Sequence, residues 1–299
     1  MFPVRRTLNL AEAAARPAAA ADHGRISRLL ASARHSFLAV PSAELGRLIA
    51  SEPGALLVSG DAVWAAAIAE RTAPTVAWLR ALALADGLPQ QEGLDALLAA
   101  YHGRLREAGV GRAFYAGYAS DVWLRVALAA RGYVRHTEVV SYEKVRMDIP
   151  APGSREVLVR RAAPPDLAAV LAVDHSAFAE QWHKDQHALG PAIGSSPCFL
   201  VAERPGAGPG GSGVVGYAFV TSHFEGRLVH LVRIAVLPAF QGQGVGVRLL
   251  AEVVAYARGA GAHTLTLNTQ EDNLAARRLY EWFGFRQAGE RQTVMEFAL

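Results

Sequence analysis

Residues 241–246 read Gln-Gly-Gln-Gly-Val-Gly, between the strand-like run LVRIAVLPAF and the helix-like run VRLLAEVVAYARGAG. Glycines let a backbone come close to a ligand, and successive N–H groups at a helix N-terminus point at an anion, so the stretch reads as a phosphate loop. Spacing excludes two common versions. A nucleoside-triphosphate loop needs a lysine after its last glycine, and none is present. A dinucleotide loop needs a third glycine where Val247 stands. What remains is Gln241-x-x-Gly244-x-Gly246, preceded by Val236-x-Pro238.

Other residues able to do chemistry are few. His183 and His187 stand four apart, a spacing that suits a metal on a helix, but the sequence supplies no third ligand and no metal is expected. Cys198 is the one cysteine, so no internal disulfide or zinc cluster forms, and its place in PCFLVAE predicts a buried strand residue. His230 shares a run with Val232, Ile234 and Val236, which period two would put on one face of a strand. Asn273 opens a long helical stretch and suits an N-cap. Tyr280 lies on that stretch among Leu279, Trp282 and Phe283, where a core role competes with a catalytic one.

These residues need a frame. Residues from 156 onward read strand, helix, a further helical stretch near 183–195, three strands, the glycine loop, helix 247–258, strand HTLTLN, helix NLAARRLYEWFG and a final strand to 299. That order predicts an α/β fold (α+β mixed sheet) with helices on both faces. In the helix after the loop Leu249, Leu250, Val253, Val254 and Ala257 form one apolar stripe. MDIPAPGSRE, at 147–156, reads as a linker, and RPGAGPGGSG as a loop within the second half.

The chain also repeats itself. Shifted by 152 residues without a gap, Leu97 and Leu98 fall on Leu249 and Leu250, Ala108-Gly109 on Ala260-Gly261, Arg125 on Arg277, Gly132 on Gly284 and Tyr133 on Phe285. A length of 299 residues, 52% of them hydrophobic, suits two such domains. The division expected is 1–148, a linker at 149–156, and 157–299. In the first half Glu92 and Leu94 stand where the second has Gly244 and Gly246, Leu128 where it has Tyr280, and Asp121 where it has Asn273. An anionic ligand is not expected there. Fragment 151–299 is accordingly expected to keep ligand affinity and 1–150 to show none.

The pattern V-x-P-x-x-Q-G-x-G-x-G, then Leu249-Leu250, then Asn273-x-x-Ala276-x-x-x-Tyr280-x-x-x-Gly284-Phe285 resembles the GCN5-related N-acetyltransferase (GNAT) superfamily, in which tandem copies occur. The resemblance is specific over about 215–299. It implies two tandem GNAT-like domains with a degenerate N-terminal copy, and transfer of an acetyl group from acetyl-CoA to a primary amine by direct attack. It places the coenzyme on Ile234, Ala235 and Val236, on Gln241, Gly242, Gln243, Gly244, Val245, Gly246 and Val247, and on Asn273. Tyr280 becomes the acid that protonates the leaving thiolate. His230 is in register with an acid that other members carry on the fourth strand, which makes it a candidate base. Alanine acetyltransferases use a glutamate on the fifth strand, where Asn268 stands here. The resemblance further implies that Phe178 and Trp182 line the acceptor pocket, where a core role competes.

Two other readings stay open: a non-catalytic acyl-CoA-binding regulator, and a transferase of a different acyl group. The implied partners are a coenzyme A thioester and a small amine or protein N-terminus; a homodimer stays open. A formal charge of +3, with only Lys144 and Lys184 as lysines, does not point to nucleic acid. No apolar run reaches the roughly 18 residues of a membrane span, and a cytoplasmic location is expected.

Overall fold

The computed structural model describes residues 8–118 and 120–299. Their elements follow the expected alternation. In the first half they are β1 (Ala14–Pro17), α1 (His23–Ser32), β2 (His35–Leu38), α2 (Ser42–Ser51), β3 (Gly54–Ser59), β4 (Ala62–Ala73), β5 (Val76–Leu84), α3 (Gln90–Glu107), β6 (Arg112–Tyr118), α4 (Val122–Ala129) and β7 (Val134–Lys144). In the second half they are β8 (Leu158–Arg161), α5 (Leu167–Ala177), α6 (Gln186–Ser195), β9 (Cys198–Glu203), β10 (Val214–His223), β11 (Leu228–Val236), α7 (Val245–Gly259), β12 (Thr264–Gln270), α8 (Leu274–Trp282), β13 (Arg286–Gln287) and β14 (Gln292–Ala298). The mixed α/β class expected from the sequence is the one observed.

The compact units do not follow the sequence halves. One contains residues up to His136 together with Thr293–Leu299, and the other runs from Thr137 to Gln292. The expected boundaries at 148 and 157 differ from this because the last strand of each half is built into the other unit. In the first unit the strand order is β1-β3-β4-β5-β6-β14, with β2 also on β5. There β14 supplies Met295 to the core, and Phe297 stacks on His102 with ring centroids 4.3 Å apart. In the second unit the order is β7-β12-β11-β10-β9-β8. Residues 139–144 of β7 pair antiparallel with 265–270 of β12. Tyr142 on β7 accepts a hydrogen bond from Arg277 Nε at 3.0 Å and donates one to Glu281 at 3.0 Å. Buried Lys144 donates to the carbonyl of Phe283 at 2.5 Å, at the C-terminus of α8 where a cation is favoured. Residues 151–299 alone would therefore lack β7, a strand of that unit.

The second unit has the two-faced burial of a sheet covered on both sides. Val214 through Val220 of β10 are all buried, as a near-continuous apolar strand requires. One face packs on α7 through Leu249, Leu250, Val253, Val254 and Ala257, the stripe read from the sequence. The other packs on α5 and α6 through Val170, Val173, Leu189 and Ile193.

The 152-residue spacing recurs in structure. Helices α3 and α7, strands β6 and β12, and helices α4 and α8 correspond along it. Gly132 and Gly284 both hold positive φ, 88° and 82°. A bulge falls on Arg80 in β5 and on Val232 in β11, which are 152 apart.

Candidate functional site

The site grows from a parting of strands in the second unit. β11 and β12 pair in parallel over Leu228–Leu231 and Thr264–Leu267 and then separate. β10 holds the other edge of β11 up to Val236. Among the described residues no strand pairs with 233–236 of β11 on the side facing β12. Apart from the Val236 carbonyl, which the Gln241 side chain occupies, backbone groups there lack a strand partner and are open to a ligand. A cleft of about 550 Å³ occupies the parting.

The glycine loop forms one end of this cleft. Gly244 is the N-cap of α7 with φ 78°, a left-handed conformation that a β-carbon would strain. The amides of the first turn have no intrahelical partner. Gly242, Gly244, Gly246 and Val247 line the cleft together with Gln241, whose amide nitrogen donates to the Val236 carbonyl at 3.1 Å. Gln243 and Val245 do not line it. Gln243 caps the Ala239 carbonyl at 2.8 Å, and Val245 is buried in the core. Residues expected to be a plain linker bear on the same loop. Ser154 N donates to the Gly244 carbonyl at 3.0 Å, and a β-carbon on Gly153 would lie 2.3 Å from the Arg248 nitrogen. Only glycine permits that approach.

Helix α8 forms the facing wall. Asn273 caps it, its side-chain oxygen accepting from Ala276 N at 3.2 Å, and Asn273, Ala275, Ala276, Leu279 and Tyr280 line the cleft. Tyr280 is 5% exposed, and burial pushes its phenol well up, so it holds its proton at neutral pH. Ile234, Ala235 and Val236 also line the cleft, as does Phe178.

His230 and Trp182 do not. A bulge also changes which residues share a face with His230. Phe219 stands opposite Arg233 and Val220 opposite Leu231, so Val232 is an extra residue. One inserted residue reverses the alternation. His230 therefore shares a face with Arg233 and Ala235, not with Ile234 and Val236, and the period-two expectation fails at this point. Its Nδ1 pairs with Thr266 Oγ1 at 2.9 Å, and burial, then His223, hold its imidazole below the ordinary value. Trp182 is partly buried and contributes its carbonyl, which accepts from Arg233 Nη2 at 2.5 Å.

Sequence reasoning passed over that arginine. Arg233 lines the cleft, its side chain 10% exposed, against a fully buried Asp174. Asp174 accepts from Arg233 Nε at 2.9 Å, from the Tyr217 hydroxyl at 2.5 Å and from Lys184 N at 2.8 Å. The guanidinium carbon sits 3.6 Å from the centre of the Phe178 ring. A lone acid in the apolar helix LAAVLAVDHSAF and a lone cation in the strand LVRIAV were the available signal, since buried charges come paired. Of the two histidines considered for a metal, His183 is otherwise engaged. His183 stacks on His175 with centroids 4.3 Å apart and bonds the Phe178 carbonyl at 3.0 Å. Cys198 is buried, its thiol pushed up to about 11 by burial, as befits a strand core residue.

The matching edge in the first unit is closed. β5 and β6 pair only over Val76–Trp78 and Arg112–Phe114 before parting. The freed stretch Ala81–Leu84 of β5 is then taken by β2, residues His35–Leu38. Phe37 and Tyr115 fill the parting with ring centroids 5.0 Å apart, both buried.

Comparison with known proteins gives concordant results. The family model described as "Acetyltransferase (GNAT) family" matches residues 167–285. A thialysine N-epsilon-acetyltransferase from Sus scrofa is 32% identical over 150 residues, covering 46% of this chain and 88% of that protein. A mycothiol acetyltransferase from Tsukamurella paurometabola is 30% identical over 230 residues, covering 65% of this chain and 74% of that one. A solved tandem GNAT protein from the clavulanic acid biosynthesis pathway superposes with a TM-score of 0.58 at 15% identity, covering 96% of this chain and 98% of the other. That likeness concerns the fold.

Proposed function

This chain belongs to the GNAT family of acetyltransferases and is an acyltransferase; from that premise we propose that its second unit moves the acetyl group of acetyl-CoA to a primary amine by direct attack. GNAT acetyltransferases use acetyl-CoA as co-substrate, and the residues present fit it. The observation that carries the reading is the meeting, in one cleft, of an open β11 edge, a helix N-terminus rimmed by glycines, and a buried tyrosine. The amides of Gly242 through Val247 suit a diphosphate. The unpaired edge at Ile234, Ala235 and Val236 suits the amide-bearing pantetheine arm, and a backbone N–H there would stabilise the oxyanion as the carbonyl is attacked. Asn273 caps its helix and is within reach of the coenzyme from the cleft wall.

In the reaction the amine nitrogen forms a bond to the thioester carbon, and the carbon–sulfur bond breaks. Tyr280 donates its proton to the departing thiolate. A tyrosine of ordinary pKa near 10 is a weak acid, and burial weakens it further, so the transfer depends on placement beside the forming charge. The amine must first lose a proton. His230, neutral at pH 7, takes it through water, since its ring stands outside the cleft lining. Phe178 walls the acceptor side, with Trp182 behind it holding Arg233. The acceptor is a small amine or a protein N-terminus.

The first unit does not bind coenzyme in this reading. Glu92 would repel a diphosphate, Leu94 blocks backbone approach, and β2 takes the edge a pantetheine needs. The test is a thiol-release assay with acetyl-CoA over an amine panel, beside calorimetry on the whole chain. Acceptor-dependent release that falls at least about a hundredfold in Tyr280→Phe is expected for a lost general acid. One coenzyme per chain is expected, abolished by Gly244→Glu. Binding without release for any amine would instead mark a non-catalytic acyl-CoA-binding protein.

A further inference from the structure

Among the described residues, the lining of the cleft contains one charged side chain, Arg233, and no carboxylate. Its guanidinium is committed along one edge only. Nε reaches Asp174 at 2.9 Å, and Nη2 reaches Asp174 at 2.8 Å and the Trp182 carbonyl at 2.5 Å. Nη1 has no hydrogen-bond partner among the described residues, although the side chain is nine-tenths buried. Phe178 covers the flat face of the group at 3.6 Å. The orientation is fixed from behind, because Asp174 is itself held by the Tyr217 hydroxyl and the Lys184 amide.

Resting on the acetyl-transfer reading, we infer that the acceptor amine carries a carboxylate, and that Nη1 of Arg233 binds it. An arginine keeps its charge under all conditions of interest, and an N–H that has no protein acceptor and borders a cleft is free to meet a ligand. An anion entering the cleft supplies that acceptor through a charge-assisted hydrogen bond. Asp174 does not compete for a cationic acceptor, since both its oxygens already receive hydrogen bonds and it is fully buried. A polycationic acceptor finds no carboxylate in the lining to pair with. Arg233 also adjoins Ile234 in β11, so the anchor lies one residue from the edge proposed to hold the thioester. The first unit has Ala81 at the corresponding position, under β2, and offers no such anchor.

The experiment compares matched acceptors in the thiol-release assay: an amino acid, its amide, and its decarboxylated amine, for example lysine, lysinamide and cadaverine, or serine, serinamide and ethanolamine. The free acid is expected to give at least roughly tenfold higher kcat/KM than either neutralised form, as for other charge-assisted contacts. Glycine against aminomethylphosphonate separates carboxylate from phosphonate, and preference for the latter overturns the assignment. In Arg233→Gln the advantage of the acid should vanish through its KM, with the KM for acetyl-CoA unchanged, while Arg233→Lys keeps part of it. Should the glutamine variant fail to fold, the wild-type comparison decides alone: equal rates for acid, amide and amine overturn the inference. If no acceptor is turned over, the transfer reading fails separately. Calorimetry with coenzyme A present then decides, tighter binding of acid than amide supporting the anchor and equal or no binding refuting it.

Discussion

Replacing Asp174 with alanine removes the one carboxylate that compensates Arg233. Breaking a buried pair by deleting one partner typically costs about 3–5 kcal/mol, because the remaining charge is left desolvated. Here Arg233 borders an open cleft, so partial rehydration takes that figure toward about 3 kcal/mol. The buried Tyr217 hydroxyl simultaneously loses its acceptor, adding about 1 kcal/mol or more. At about 2–4 °C per kcal/mol for a unit of this size, Tm should fall by roughly 8–16 °C. Asp174→Asn keeps the shape and one acceptor oxygen, and should cost less. Pairing Asp174→Leu with Arg233→Met removes both charges and should recover much of the loss, since apolar replacement of a buried pair is often near neutral. Scanning calorimetry of the four proteins checks this. A shift under 2 °C in Asp174→Ala, or a double variant no better than the single, would refute the view that Asp174 exists to hold the arginine.

Three further outcomes are expected. If His230 is the base, kcat/KM rises with pH through a value below 6.5, the direction set by burial, and is flat above it; His230→Ala should lose rate and that acidic limb together, and an unchanged pH profile removes His230 from the mechanism. Asn273→Ala should cost about 1 kcal/mol of stability as a lost N-cap, whereas Asn273→Ser should restore stability; a raised KM for acetyl-CoA that persists in Asn273→Ser marks a coenzyme contact, and full rescue marks a cap alone. Fragment 151–299 lacks β7 and should show no cooperative thermal transition by circular dichroism, while 137–292 retains the strands of its unit and should bind coenzyme; a cooperative 151–299 would show that β7 is dispensable.

Local sequence was sufficient for whatever depends on near neighbours. The site role expected for Tyr280 came from the family resemblance, whereas the apolar stripe of α7 and the N-cap at Asn273 follow from spacing and residue type, because helix geometry fixes which residues share a face. The 152-residue repeat was legible for the same reason. What spacing leaves open is strand partnership and side-chain reach. A single extra residue at Val232 turned His230 to the opposite face. A composition break at 147–156 marked a linker, yet Gly153 and Ser154 lie against the glycine loop and the start of α7. The last strand of each half found its pairing in the other unit, and β2 closed an edge in the first unit that stays open in the second. Arg233 and Asp174, 59 residues apart in sequence, became one group only through the packing of α5 on the sheet. Pairing, register and buried charge are set by contacts between distant segments, where alternative partners differ by energies that no local pattern carries.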